Sequence, residues 1–351
     1  MSNKFSNTRK VKRGSKNQNK RNNRRTNSKK GGTSPVKRKS NEMDSDTHEV
    51  DSDKFMESLL LQRKHPIQSG SYGDIFKVEY NGKLYALKII KHKHIANYEE
   101  IIENEAKILE KLKKDCELNN ILCNTHYHKK DGKYYIVTEY LENYVELLDF
   151  IGDETHFKTV PVYAKIIDKL CKGLMAIHNN GIAHRDIKPE NIMINPETLE
   201  IKYIDFGLSC DVENLNKCCN CNNRGGVGTA MYNDPIFIST GEKNIPITFD
   251  ELIQSDIWSL GLTMFVMLSG IYPTDLFGYE GTNNQYIEKL IKTFMEEINK
   301  PDAVFPPIIN RTFDRATDIY NYGVKHNYYA VDLRKALSNI PSERIIHVPS
   351  K

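Results

Sequence analysis

The sequence predicts an α+β chain in two parts, a small β-rich portion followed by a larger helical one. Two patterns lead there. From Ile67 to Ile90 apolar and polar residues alternate around turn signals, and beyond Asn143 apolar residues recur at helical spacing. With 351 residues, 39% hydrophobic and 27% charged, the chain has enough apolar matter for a real core, which excludes a wholly disordered polypeptide.

Taken in order, residues 1–55 read as a disordered tail that switches sign. Residues 1–40 hold fifteen Lys or Arg and no Asp or Glu. Glu42, Asp44, Asp46, Glu49, Asp51 and Asp53 then make 41–53 acidic. So the net +4 averages a tail segment of +15 and a remainder of −11. Such a stretch has almost nothing to bury against its ordering entropy. It reads either as a solvated extension, as a contact for nucleic acid or an acidic surface that salt would weaken, or as a nuclear address in Pro35-Val36-Lys37-Arg38-Lys39.

Folded character begins near Phe55, and the domain is expected over 60–348. A Gly-containing turn spans Ser69–Gly73, and Asn81-Gly82 between two alternating runs is a hairpin signal. Ile101, Ile102, Ala106, Ile108, Leu109 and Leu112 give Glu99–Leu112 a helical stripe, and Lys133–Thr138 reads as a strand. Helices are expected at Val162–Asn179 and Ser255–Leu268, with short strands at Ile192–Ile194 and Ile201–Ile204. The longest apolar run, Ile257–Tyr272, is interrupted by Ser, Thr and Gly and is shorter than a membrane span of about 20 residues. Met1–Lys10 is polar, so no secretory leader is expected; the expectation is a soluble intracellular protein, cytoplasmic or nuclear. Seven cysteines (Cys116, Cys123, Cys171, Cys210, Cys218, Cys219, Cys221), an odd number, point to reduced thiols rather than a disulfide framework.

Four motifs stand in fixed order. Ile67-Gln68-Ser69-Gly70-Ser71-Tyr72-Gly73-Asp74-Ile75 is a strand, a glycine turn and a strand, and Tyr85-Ala86-Leu87-Lys88 places a lysine on the next strand. His184-Arg185-Asp186-Ile187-Lys188-Pro189-Glu190-Asn191 follows a helix, and Asp205-Phe206-Gly207 follows a strand. Alone, Lys88 would be a solvated strand lysine, Asp205 an ordinary loop carboxylate and Asp186 a turn former. Together, in this order and spacing, they resemble the eukaryotic protein kinase family over roughly residues 60–345.

The resemblance implies a bilobal protein-kinase fold with a small β-rich N-lobe at 60–138, a hinge at 139–143 and a larger helical C-lobe at 144–348. Moving a γ-phosphoryl group takes a clamp on an anionic nucleotide, divalent metal and a carboxylate beside the attacking hydroxyl. Within the Gly-rich loop, Gly70 and Gly73 let backbone N–H groups approach phosphate, flanked by Gln68, Ser69, Ser71, Tyr72 and Asp74. Lys88 is implied to meet the α/β-phosphates, with Glu105 as its partner and Glu103 as the rival. Ile67, Ile75, Ala86 and Met193 would sandwich adenine, with Thr138 behind it and the Glu139 and Leu141 backbone at its edge. Asp186 would orient the substrate hydroxyl and accept its proton. Lys188 would contact the transferring phosphate, the pattern of the serine/threonine-specific branch. Asn191 and Asp205 are oxygen ligands suited to Mg²⁺, with Mn²⁺ as a substitute. Phe206 and His184 would pack with Leu109 in a column linking the lobes, and Asp256 and Trp258 match the helix anchoring the catalytic loop.

Three departures stand out. Gln68 replaces the first glycine of the loop. The Ala-Pro-Glu closing the activation segment is Asp234-Pro235-Ile236, so the usual ion pair to a late arginine, here Arg344, is expected to be missing. Cys210–Gly228 carries no Ser, Thr or Tyr, although Arg185 before Asp186 marks kinases switched by a phosphate in that segment. Ser209, Thr229 and Tyr232 lie at its margins, and Asp211 or Glu213 could balance Arg185 instead. Cys210, Cys218, Cys219 and Cys221 occupy the stretch as reduced thiols, or as a zinc or redox site.

The implied activity is ATP- and Mg²⁺-dependent phosphorylation of Ser/Thr hydroxyls in protein substrates. The rivals are a pseudokinase scaffold, a small-molecule phosphotransferase of related fold, and a nucleic-acid-associated protein acting through residues 1–40.

Overall fold

Apolar–polar alternation over residues 73–90 builds the first part of the structure, a computed structural model that describes residues 52–69, 73–90, 98–152, 159–215, 227–239 and 247–350. Strands β1 (Gln68–Ser69), β2 (Gly73–Tyr80), β3 (Lys83–Ile90), β4 (Asn124–Lys130) and β5 (Lys133–Glu139) form one antiparallel sheet in the order β1-β2-β3-β5-β4. The β2–β3 turn is Asn81-Gly82, with φ of 50° and 77°, the pair of left-handed residues that Asn-Gly supplies most cheaply. The register places Ile75 opposite Lys88 and Lys88 opposite Ile136, so all three lie on one face. A one-residue slip would turn Lys88 into the apolar layer on the other side.

That other layer holds a helix the sequence reading missed. Helix α1 (Ser52–Leu61) begins inside the segment assigned to the tail, and it packs Phe55, Met56 and Leu59 against Phe76, Val78, Leu87 and Val137. Phe55 meets the rings of Tyr80 and Tyr85 edge-on at 5.0 and 5.5 Å. Burying each of the three side chains is worth about 1.5–3 kcal/mol, enough to hold a short helix on a sheet. Compact structure runs over Phe55–Lys351, and the basic and acidic segments within 1–51 lie outside the described residues.

Gly73 opens β2 at φ 155°, and a Cβ there would sit 2.3 Å from the Ile89 carbonyl oxygen. Gly73→Ala is therefore expected to lower the melting temperature by shifting β2 off β3, at a cost of about 1–3 kcal/mol. A melting curve matching wild type would show that the loop accommodates the methyl group.

Helix α2 (Tyr98–Leu112) follows the sheet, and β6 (Val145–Glu146) and α3 (Leu147–Gly152) follow the hinge. The larger lobe is built on α4 (Val160–Asn179), β7 (Ile182–Ala183), β8 (Ile192–Ile194), β9 (Ile201–Tyr203), β10 (Cys210–Asp211), α5 (Pro235–Ser239) and α6 (Phe249–Ser269). It closes with α7 (Asn284–Ile298), α8 (Pro307–Lys325), β11 (Ala330–Val331), α9 (Leu333–Ala336) and β12 (Ile346–His347). Helix α6 starts with a capping box, Thr248 with Glu251, and stops at Gly270 with φ 74°. By length and hydropathy α6 could cross a membrane, but 78% of its most apolar window is buried inside the lobe. It is a core helix.

Two expectations are corrected here. Cys116 and Cys123 are joined as a disulfide with Cα atoms 5.2 Å apart, and Cys210 is also disulfide-bonded, against the reading of reduced thiols. The chain turns back between α2 and β4, which brings the first two together across only seven positions. The buried Cys171 is a free thiol, and burial raises its pKa far above the ordinary thiol value.

The second concerns Arg344, which does have a carboxylate partner: Asp234, whose Oδ2 lies 2.5 Å from Nη1 and Oδ1 3.3 Å from Nη2. Asp234 replaces the glutamate from two positions upstream.

Candidate active site

The inner face of the sheet and the larger lobe enclose a cleft of about 380 Å³. Ile67, Ile75 and Ala86 line it from the sheet and Met193 from β8. Thr138, Glu139 and Leu141 line its hinge side, as the resemblance implied. The Glu139 N–H already donates to the Cys123 carbonyl at 3.0 Å. A base edge meeting Glu139 would therefore use its carbonyl oxygen.

At the inner end Lys88 Nζ lies 2.8 Å from Glu105 Oε1 and 3.9 Å from Asp205 Oδ1. Burial pushes the Glu105 carboxyl up and the Lys88 ammonium pulls it back. Such a pair is costly to leave half-made. Glu103, the rival, lies near enough to Tyr127 for its charge to add to burial in raising that phenol's pKa.

The catalytic-loop residues are held by Asp256 of α6, which is 1% exposed. Its carboxylate accepts the N–H groups of His184 and Arg185, each at 2.8 Å, and faces His178 Nε2 at 2.9 Å. Those bonds hold Arg185 at φ 67°, a left-handed conformation rare for a long side chain. The His184 ring packs on Phe206 at 5.0 Å, and its Nε2 lies 3.2 Å from the Ile204 carbonyl. A carbonyl demands a donor, so Nε2 carries the proton and Nδ1 accepts the Asp186 N–H at 3.3 Å.

Asp186 is 8% exposed and sits in a closed network. Its Oδ2 accepts from Lys188 Nζ and Asn191 Nδ2, both at 2.8 Å, and its Oδ1 accepts the Thr229 hydroxyl at 2.9 Å. Lys188 Nζ also donates to Thr229 Oγ1 at 2.7 Å. Committing the Asn191 nitrogen to Asp186 leaves its amide oxygen as an acceptor. With the Asp205 carboxylate, whose side chain is 43% exposed, it supplies hard oxygen donors of the kind Mg²⁺ takes.

Some expected residues fall elsewhere. Gly70, Ser71 and Tyr72 lie outside the described residues, as do Cys218, Cys219 and Cys221. Ser69 and Asp74 face each other in the β1–β2 register and do not line the cleft, whereas Gln68 and Gly73 do. Among the described residues no group of three or more His, Cys, Asp or Glu could hold a metal ion, so nothing there supports zinc.

Three contributors were not singled out from sequence. Thr229, at the margin of the activation segment, joins Asp186 to Lys188 through its hydroxyl. Glu190 lines the cleft, with its carboxyl pKa raised by burial. Lys202 Nζ binds Glu139 Oε1 at 2.9 Å and the Ile121 carbonyl at 3.1 Å, fixing the hinge from behind. No sequence signal distinguishes Lys202 from a solvated strand lysine, whereas Gly228-Thr229 reads from sequence as a segment that shapes a peptide site.

A family description, "Protein kinase domain", matches residues 61–345, so the chain belongs to the protein kinase family. It is 32% identical over 231 residues to calcium-dependent protein kinase 4 of Plasmodium berghei, covering 64% of this chain and 39% of that protein. It is 32% identical over 231 residues to a probable cyclin-dependent serine/threonine-protein kinase of Dictyostelium discoideum, covering 65% and 15%. A serine/threonine-protein kinase of Drosophila simulans is 29% identical over 214 residues, covering 59% and 26%. The chain thus spans well under half the length of these relatives. The fold is the two-lobed α+β kinase fold.

Proposed function

We propose that this chain transfers the γ-phosphate of ATP to serine or threonine hydroxyls of protein substrates, with Mg²⁺ held by Asn191 and Asp205. The observation that carries the reading is the simultaneous seating of Lys88 on Glu105 and of Asp186 among Lys188, Asn191 and Thr229. Both are needed for turnover, one to clamp nucleotide phosphates and the other to face the acceptor. The pairing speaks against a pure scaffold, which needs neither arrangement. The serine/threonine-specific names of its relatives support the choice of acceptor.

Asn191 and Asp205 would hold Mg²⁺, which would supply positive charge to neutralise the nucleotide phosphates. Lys88 holds the nucleotide's α/β-phosphates, kept at the inner end of the cleft by Glu105. Asp186 accepts the hydroxyl proton on Oδ1, which carries a single donor, while Lys188 and Asn191 on Oδ2 fix the carboxylate's rotation. Lys188, already 2.8 Å from Asp186, is placed to meet negative charge arriving on the phosphoryl group.

Incubation with labelled ATP, Mg²⁺ and mixed protein substrates, followed by phosphoamino-acid analysis, is expected to give phosphoserine and phosphothreonine. Absence of label transfer would overturn the reading. Asp205→Ala is expected to abolish the thermal shift that MgATP gives the wild-type chain. An identical shift in both would remove Asp205 from the metal site.

A further inference from the structure

Glu105 reaches Lys88 only while α2 stays against the cleft, so something must hold that helix. Among the described residues, two polar contacts join it to the larger lobe, beside the apolar packing of Leu109 in the core. Asn104, the neighbour of Glu105, donates from Nδ2 to the Ser209 carbonyl at 3.0 Å. At the helix's far end Lys111 Nζ lies 2.9 and 3.0 Å from the two Asp211 oxygens and 3.6 Å from Glu213 Oε1.

The receiving side is rigid. Asp211 belongs to β10, which pairs with β7 through Cys210–Ala183 and Asp211–Ile182, and β7 leads directly into the catalytic loop. Asp211 Oδ1 also accepts the Glu213 N–H at 3.0 Å, capping the short turn Val212–Asn214, and the Val212 N–H donates to the Gly181 carbonyl at 2.8 Å. The Asp211 side chain is only 10% exposed, so its charge is balanced by Lys111 rather than by solvent. Asp211 and Glu213, the counter-charges expected for Arg185, both face Lys111.

We propose that Lys111 and Asp211 form a positioning pair that ties the Glu105-bearing helix to the strand entering the catalytic loop, and so holds the Lys88–Glu105 clamp closed without a phosphate in Cys210–Gly228. That stretch has no hydroxyl to carry one. Lys111 lies about 1.7 turns beyond Glu105 on the same helix, so loosening the pair lets α2 pivot away from Lys88. The functional consequence rests on reading Lys88–Glu105 as the nucleotide clamp; the mechanical consequence does not.

The test compares wild type with Lys111→Met, Asp211→Asn, the double variant carrying both, and the charge-conserving Lys111→Arg. Asp211→Asn keeps the oxygen that caps the turn and removes only the charge. Each single variant is expected to lose about fivefold in kcat, the scale of a part-buried ion pair, and to exchange α2 amide hydrogens faster while α4 and α6 stay protected. The double variant should be no worse than either single one. Lys111→Arg should retain both protection and rate. Phosphatase treatment of wild type should leave kcat unchanged. Wild-type α2 protection in both single variants, additive losses in the double, or a loss of rate on phosphatase treatment would overturn the proposal. Because amide exchange is read without turnover, a chain that transfers no phosphate but still loosens α2 would overturn the catalytic reading and leave the pair standing.

Discussion

Asp186→Asn is expected to lower kcat by about 10²–10⁴, the range for removing a positioned general base, while MgATP still stabilises the protein against heat. The carboxylate takes three donors: Lys188 and Asn191 on one oxygen and Thr229 on the other. An asparagine offers a single oxygen and a nitrogen that itself donates, so at least one of those donors must turn away. The proton acceptor is lost at the same time. Nucleotide binding should survive because Lys88, Glu105 and Asp205 lie outside this network, and Asn191 keeps its bond to the Asp186 backbone carbonyl at 2.9 Å. Initial rates with labelled ATP, set beside a thermal titration with MgATP, separate the two effects. Wild-type rates would remove Asp186 from its role, and a parallel collapse of the MgATP shift would make it a nucleotide-binding residue instead.

Lys88 sharpens the same division. Its substitution by Met is expected to abolish turnover and to lower the melting temperature, because Glu105 then remains buried without its ammonium partner. Burial already pushes the Glu105 carboxyl up, and losing Lys88 pushes it further. Loss of turnover should therefore come with a stability that falls as pH rises through that raised pKa, since the stranded group is tolerated only while protonated. Melting temperatures recorded across the acid range would reveal it. A variant as stable as wild type at every pH would mean that solvent reaches Glu105.

How much of this was legible in the sequence follows from how local each signal is. The β2–β3 hairpin was legible because Asn81-Gly82 sets its own turn, and the catalytic loop because eight consecutive residues carry it. Lys88 could be placed on a strand by alternation, but its pairing with Glu105 rather than Glu103 depends on the rotation of α2 about its axis, which a stripe of apolar residues defines only to within a residue or so. Helix α1 was hidden for a different reason. Its apolar residues Phe55, Met56 and Leu59 follow directly on an acidic run, and only the sheet beneath them makes three side chains sufficient for a helix. The disulfide Cys116–Cys123 was likewise invisible, since an odd cysteine count says nothing about which two meet when the chain turns back. Long-range partners such as Lys111–Asp211, a hundred positions apart, carry no local signature at all.

The missing glutamate of the activation segment shows how a motif read in strict register can mislead, and it yields the largest stability effect expected outside the cleft. Ile236 stands where that acid is usual, yet Arg344 is 2% exposed and must find a negative partner or remain an uncompensated buried charge. Asp234 meets the need because α5 begins at Pro235. Its Oδ1 accepts the Ile236 N–H at 2.9 Å, which fixes the carboxylate at the start of the helix and presents both oxygens to the guanidinium. Arg344 also donates to the Ser338 carbonyl at 3.1 and 3.0 Å and lies 5.1 Å from the centre of the Trp258 ring, so all its faces are engaged. Removing one member of such a pair leaves the other charge buried, a cost of about 3–5 kcal/mol. Asp234→Ala and Arg344→Met are each expected to lower stability by that amount in urea unfolding, with the double variant recovering a substantial part of the loss. Because Asp234 anchors the end of the segment that carries Thr229, the single variants should also lose activity at temperatures below their melting. Single losses within about 0.5 kcal/mol of zero, the range of ordinary surface substitutions, would mean that water reaches the pair and that Asp234 does not replace the glutamate.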